Sequence, residues 1–323
     1  MRLRAAAKMR RPISIIIATL LAAVVTAGAG VSLPATAGLL AQQANHNNTD
    51  RPLTKEELHT LARRGIANQH RNDAALNEYE RRERRIERDT REDLPVVEDK
   101  TFRVVPTGTG TLKLVIEEKG KRVYPNFYEK QLHDLEQVLV DATEHQNTYS
   151  QRRAIEKWQK RTQERYDLVE GVEDAFLVTW LGRERRNGRL VVRLQLNPNP
   201  EFKPKTRIAG ALQSVRAVVW LDEKEAQLVR AEADIFRDIS VGGGLLGKVY
   251  RGGKVIIEQA EVAPGIWFPT LYRIDFEGRK FVFGFDVHQT IDIRDFRRIG
   301  PPAEALASIR REIASNRNGK PSS

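Results

Sequence analysis

From Ala175 to Ile299 apolar and polar residues alternate in run after run, and each run is closed by turn-forming residues. Leu190, Val192, Leu194 and Leu196 fall on one side of such a run and Val191, Arg193 and Gln195 on the other. A period of two marks a strand. The pattern returns at Val215, Ala217, Val219 and Leu221, and at Val229, Ala231, Ala233 and Ile235. It appears again at Ile266, Phe268, Tyr272, Ile274 and Phe276, and at Phe281, Phe283, Phe285 and Val287. Between the runs stand Arg186-Asn187-Gly188-Arg189, Asp222-Glu223-Lys224-Glu225, Arg251-Gly252-Gly253-Lys254, Ala263-Pro264-Gly265 and Glu277-Gly278-Arg279. Short links of this composition join antiparallel neighbours as hairpins. The prediction is a meander of long strands, a large curved antiparallel sheet with one apolar face.

Ahead of that half the period changes. Thr54 and Glu57 form a capping box at the start of a helix whose stripe is Leu58, Leu61 and Ile66, running to about Asn77. The stretch Tyr79 to Glu92 is dominated by Arg and Glu, with Ile86 its only aliphatic side chain. It reads either as a continued helix held by charge pairs four apart or as an exposed strand. Lys100 to Pro106 and Thr111 to Glu118 read as two strands joined by Thr107-Gly108-Thr109-Gly110, with a turn following at Lys119-Gly120-Lys121. Leu132, Leu135, Leu139 and Ala142, then Ile155, Trp158, Thr162 and Tyr166, step by three or four, which predicts two amphipathic helices or one bent helix over about 128–166. Helix, strands, helices and then many strands make an α+β fold, with the helices gathered on one face of an antiparallel sheet.

The chain opens with Arg2, Arg4, Lys8, Arg10 and Arg11, followed by an apolar stretch from Ile13 to Leu33 and by Pro34-Ala35-Thr36-Ala37-Gly38. This is the layout of a secretory signal peptide, residues 1–37, cleaved after Ala37. The alternative is an uncleaved helix anchoring the chain in the inner membrane, since the stretch is long enough to span a bilayer. Residues 38–53 read as a flexible polar leader and 300–323 as a C-terminal helix or tail. Five basic residues and no acidic ones lie before Gly38, so the formal charge of +11 falls to +6 in the mature chain. A surface this modestly basic argues against a nucleic-acid partner and fits contact with anionic headgroups at a membrane. There is no cysteine among the 323 residues, which excludes a disulfide framework, a thiolate nucleophile and a Cys-based zinc site.

Candidate chemistry is sparse. Gly242-Gly243-Gly244-Leu245-Leu246-Gly247-Lys248 matches the first seven positions of a phosphate-binding loop. Val249 stands where Ser or Thr would hold magnesium, and strands flank the run on both sides instead of a strand and then a helix. The glycines suit a flexible flap at a sheet edge, with Gly242, Leu245 and Leu246 in it. The histidines at 46, 59, 70, 133, 145 and 288 include no pair four apart, and no G-x-S-x-G elbow occurs. No metal and no cofactor are expected. Trp180, Trp220 and Trp267 fall on strands beside several phenylalanines, and a wide sheet covered by few helices leaves space for an apolar ligand. Its candidate walls are Val192, Leu194, Val219, Leu221, Phe268, Phe281, Phe283 and Phe285 on the sheet, with Leu135 and Trp158 on the helices.

Three segments carry a family resemblance. Leu181-Gly182-Arg183-Glu184 is followed by Asn187-Gly188-Arg189 and the strand from Leu190 to Asn197-Pro198. Val219-Trp220-Leu221-Asp222 precedes Leu228-Val229-Arg230, and Gly265-Ile266-Trp267-Phe268-Pro269 has the form G-x-W-x-P. Over roughly residues 78–299 this resembles the LolA/LppX/RseB-like family of exported lipoprotein-sorting proteins. The resemblance implies an unclosed β-barrel at 54–299, wrapped over a few helices and holding acyl chains or a lipidated partner in its concavity, without catalysis or cofactor. The expected function is that of a periplasmic carrier for a lipid or lipoprotein acyl chain. The alternatives are an envelope sensor or scaffold that binds proteins through sheet edges and the segment 79–92, and a hydrolase whose residues leave no local motif. A longer charged N-terminal section, the link Lys203-Pro204-Lys205 and the tail from Pro301 depart from the small carriers, and the oligomeric state stays open.

Overall fold

A computed structural model describes residues 51–89, 95–204, 206–241, 247–281 and 283–318. The strands are β1 (Tyr79–Arg88), β2 (Val96–Pro106), β3 (Thr111–Glu118), β4 (Lys121–Arg122), β5 (Phe176–Arg186), β6 (Arg189–Pro198) and β7 (Val215–Asp222). They continue with β8 (Leu228–Ile235), β9 (Ile239–Val241), β10 (Gly247–Val249), β11 (Lys254–Ala263), β12 (Ile266–Lys280) and β13 (Phe283–Arg298). The four longer helices are α1 (Lys55–Leu76), α2 (Pro125–Thr143), α3 (Tyr149–Glu170) and α4 (Pro302–Asn318). The sheet order is β4-β3-β2-β1-β13-β12-β11-β8-β7-β6-β5, with β10 pairing β12 and β9. That order ends on β4 and on β5, so the antiparallel sheet does not close on itself, as the alternation and the family resemblance lead one to expect.

Two compact units divide the chain. The first holds the described residues up to Gln69, Asp167–Glu258 and Phe276–Phe285; the second holds His70–Tyr166, Gln259–Asp275 and the described residues from Asp286 on.

In the first unit α1 begins at a reciprocal cap. The Thr54 N–H donates to Glu57 Oε2 at 2.7 Å and the Glu57 N–H donates to Thr54 Oγ1 at 3.2 Å. The Arg51 guanidinium, and after it the Thr54 N–H, hold the Glu57 carboxyl down at about 2. The stabilisation from that carboxylate is therefore present above the ordinary carboxylate range and fades as the pH falls towards 2. The β5–β6 turn places Asn187 at φ 50° and Gly188 at φ 78°, the two positive values that a two-residue hairpin link of this hand requires.

The second unit is built around Val105, Leu114, Leu132, Leu135, Leu139, Ala305, Leu306, Ile309 and Ile313. Its helix α2 starts with Pro125, whose missing N–H costs nothing in the first turn. The C-terminal segment thus shares this core through α4.

Two sequence expectations are corrected. Glu277-Gly278-Arg279 is not a turn, because β12 runs on to Lys280. Gly278 lies opposite Val249, and a Cβ there would meet the Lys248 carbonyl oxygen and, at 2.7 Å, the Phe285 ring. Close approach of a strand and a ring, and not a reversal, demands the glycine. The chain reverses later, with Phe281 at φ 54°, so Phe281 stands outside the strands while Phe283 opens β13 as its exposed first residue. The Arg/Glu stretch from Tyr79 is neither helix nor exposed strand: β1 is hydrogen-bonded to β13 on one side and β2 on the other. It offers no free strand edge.

Candidate functional site

The apolar face of the first unit is assembled by register. Leu196 stands opposite Ala217, Ala217 opposite Ala233, and Ala233 opposite Val255. Two residues along, Leu194, Val219, Ala231 and Ile257 are successive partners, and Val192 faces Leu221. These ten side chains are all at most 4% exposed. None carries a hydroxyl, an amide or a charge. The small residues Ala217, Ala231 and Ala233 form a strip bordered by Leu194, Leu196 and Ile257.

Within the same unit α1 buries its stripe of Leu58, Leu61, Ala62 and Ile66. It is moored to the β7–β8 link: Arg64 donates to the Lys224 carbonyl at 2.6 Å, and Asn68 donates to those of Glu225 and Ala226 at 2.7 and 3.0 Å.

The opposite face of these strands is polar. The Trp220 ring has the Arg193 and Arg230 guanidinium carbons 5.7 and 5.9 Å from its centre, and its indole N–H donates to Glu184 at 2.9 Å. Arg189 pairs with Asp222 at 3.3 Å on that side, whereas Arg183, the register partner of Val192, pairs with Glu223 at 2.6 Å at the end of the other face. A polar groove of about 520 Å³ at the ends of these strands is lined by Arg183, Arg189, Asp222, Glu223 and Lys224 among others. The motif residues Glu184, Trp220 and Asp222 therefore brace the strands from the polar side.

Of the sequence candidates, Val192, Leu194, Val219 and Leu221 come together as two cross-strand pairs. Phe285 packs edge-on against Phe276, ring centres 6.1 Å apart. Phe268 belongs to the second unit, fully buried, with the rings of Tyr79 and Phe296 at 5.0 and 5.2 Å. Leu135 sits in the α2–α4 core, and Trp158 is half-buried on α3. Phe281 and Phe283 are 50% and 63% exposed. Gly242, Leu245 and Leu246, like the signal segment, lie outside the described residues. Lys248 is on a strand and paired with Asp238 at 2.7 Å, so no helix follows the glycine run as a phosphate-binding loop needs. Among the described residues no group of three or more His, Cys, Asp or Glu is placed to hold a metal ion.

Sequence reasoning missed a buried charge network in the second unit. A register shift between Glu80 and Arg82 lets Glu80 and Glu83, three apart, both turn inward. Arg103 donates to Glu80 at 2.9 Å, to Tyr128 at 2.9 Å and to both oxygens of Glu312 at 2.9 and 2.7 Å. Burial alone would lower the Arg103 pKa, but Glu80, Tyr128 and Glu312 together raise it. Arg297 binds the other Glu80 oxygen at 2.6 Å. Glu83 faces Lys113 and, at 2.9 Å, Arg81. Burial pushes its carboxyl up, yet those two cations outweigh it and hold it below the usual range.

No protein-family model and no curated protein matches the chain. Among solved structures it is similar to a domain assigned to outer membrane lipoprotein sorting from Vibrio parahaemolyticus, at 12% identity and a TM-score of 0.28, over 73% of this chain and 92% of that one. It is also similar to a DUF1329 family protein from Desulfovibrio piger, at 14% identity and a TM-score of 0.27, over 73% and 92%. A LolA superfamily protein from Nitrosomonas europaea matches at 11% identity and a TM-score of 0.27, over 75% and 96%. These are proteins of the kind that the sequence motifs resemble, and at such TM-scores the likeness carries no argument about what this chain does.

Proposed function

We propose that this chain is an exported, non-catalytic carrier that holds a lipid or a lipoprotein acyl chain against the apolar face of β6, β7, β8 and β11. The observation that carries this reading is the patch of ten apolar side chains, uninterrupted across four strands, with its strip of alanines. A linear chain lying along that strip gains about 0.8 kcal/mol per buried CH2 and needs no polar anchor. These ten side chains are buried, so loading requires their cover to open, and we take that cover to be the N-terminal part of α1, whose own apolar stripe is buried in the same unit. Its polar ties include the hydrogen bonds from Arg64 and Asn68, each worth about 1 kcal/mol net, and the contact of His59 with Glu173 at 2.6 Å. Its apolar stripe is exchanged for the ligand's own apolar surface, which keeps the cost of opening small. The basic and then apolar N-terminal segment supports export to the periplasm, with cleavage after Ala37. The described residues include no helix long and apolar enough to cross a membrane. A scaffold acting through the segment 79–92 is less favoured, because β1 is paired on both sides.

Ala231→Leu tests the proposal. The added methylenes fill the strip, and overpacking of about 1–3 kcal/mol falls on the ligand that must share it. Uptake of a fluorescent fatty-acyl probe should be saturable in the unaltered protein, displaced by unlabelled phospholipid, and weakened roughly tenfold or more in the variant. Its far-UV circular dichroism should not change. A face that is only a closed core gives the opposite result: lost stability in Ala231→Leu, and no probe uptake by either protein.

A further inference from the structure

Strands β12 and β13 are sheet neighbours and the two longest strands, and where they meet two large aromatic side chains are open to solvent, Phe281 just past β12 and Phe283 as the first residue of β13. Phe281 takes φ 54°, where glycine or asparagine is the ordinary choice and a bulky residue is held at a cost. A turn selected only for stability would carry glycine there. The Arg279 guanidinium donates to the Phe281 carbonyl at 3.2 Å, and Lys280 follows. Neither cation is in an ion pair among the described residues. The neighbouring strand adds to the patch. Lys248 is the register partner of Arg279, and the partly exposed Tyr250 is fixed beside it by its N–H bond to the Glu277 carbonyl at 2.9 Å. Of the carboxylates around it, Glu277 is exposed on the same strand, Asp238 is neutralised by Lys248, and Asp286 on β13 stands by His288 at 4.0 Å.

We infer that this tip is a membrane-docking element, in which Phe281 and Phe283 enter the interfacial layer of an anionic phospholipid bilayer while Arg279 and Lys280 meet its phosphate groups. Aromatic rings are favoured in that layer, and cations beside them gain from the negative surface. Exposed rings paired with unneutralised basic residues match a lipid surface better than a protein partner, whose apolar pocket would not require the charge. The inference rests on the tip alone and not on the cargo; a carrier that hands an acyl chain to a bilayer would use such a contact.

The test is co-sedimentation of the full protein, as recovered after export, with phosphatidylethanolamine–phosphatidylglycerol vesicles and with phosphatidylcholine vesicles. Phe281→Gly is the informative variant, because glycine relaxes the backbone and the fold is kept. Binding should be stronger to the anionic vesicles and should weaken as salt rises. It should fall about tenfold in Phe281→Gly and in Phe283→Ser, and about fivefold in Lys280→Gln. Equal binding to both kinds of vesicle, binding that survives all three substitutions, or no vesicle binding by the unaltered protein would overturn the inference. Lipid carried in solution is read separately in solvent extracts of the same samples, so a failure of docking and a failure of the carrier reading give different results.

Discussion

Replacing Arg103 with Met should lower the stability of the folded protein by about 3–5 kcal/mol, read as a shift in the denaturant midpoint at unchanged slope. Arg103 is one largely buried cation, its side chain 13% exposed, shared by two carboxylates and a phenol, and it joins β2 to α2 through Tyr128 and to α4 through Glu312. Without it Glu80 keeps only Arg297, and Glu312 loses both of its guanidinium hydrogen bonds. An unpaired buried charge costs far more than an exposed one, which distinguishes this pair from surface pairs such as that of Arg298 and Glu78. The same network makes the protein sensitive to acid. The Glu83 carboxyl lies lower in the folded state than in the unfolded chain, so its contribution is full above the ordinary carboxylate range, near 4.5, and is lost as the pH falls through the folded value. Glu83→Gln should flatten that part of the stability profile. A loss below about 1 kcal/mol in Arg103→Met would show that the network is solvated and of the surface kind.

Phe268→Ala should cost about 3–5 kcal/mol, the range for a fully buried phenylalanine. The side chain is completely buried, and its ring meets Tyr79 edge-on and Phe296 at a tilt, so the truncation removes apolar burial and two aromatic contacts together. Thermal unfolding of the variant measures the loss. A stability close to that of the unaltered protein, accompanied by loss of bound lipid, would instead put Phe268 in a ligand pocket.

The sheet can be read in the sequence because a strand with one dry face prints that face at every second residue, as at Leu194 and Leu196 or Ala231 and Ala233. The apolar patch of the candidate site follows from the same alternation. Its strip of small side chains does not, since it exists only once register sets Ala217 beside Ala233 and Val219 beside Ala231. The stretch from Tyr79 to Arg88 was opaque for a physical reason. Its buried carboxylates are neutralised by Arg103, Lys113 and Arg297, which lie far along the chain, so the local pattern looks like a solvated surface. Gly278 misled in another way, since a glycine required by a neighbouring strand and ring has the same letter as one required by a turn. Division into two units is hidden because β11, β12 and β13 each contribute to both.

Native mass spectrometry of the mature protein purified from the exporting cell, with lipid analysis of the denatured sample, tests the carrier proposal most directly. A carrier should show a reproducible added mass that resolves into a lipid or an acylated species and is lost in Ala231→Leu. A clean mass of the bare chain from membranes that contain its lipids would contradict it.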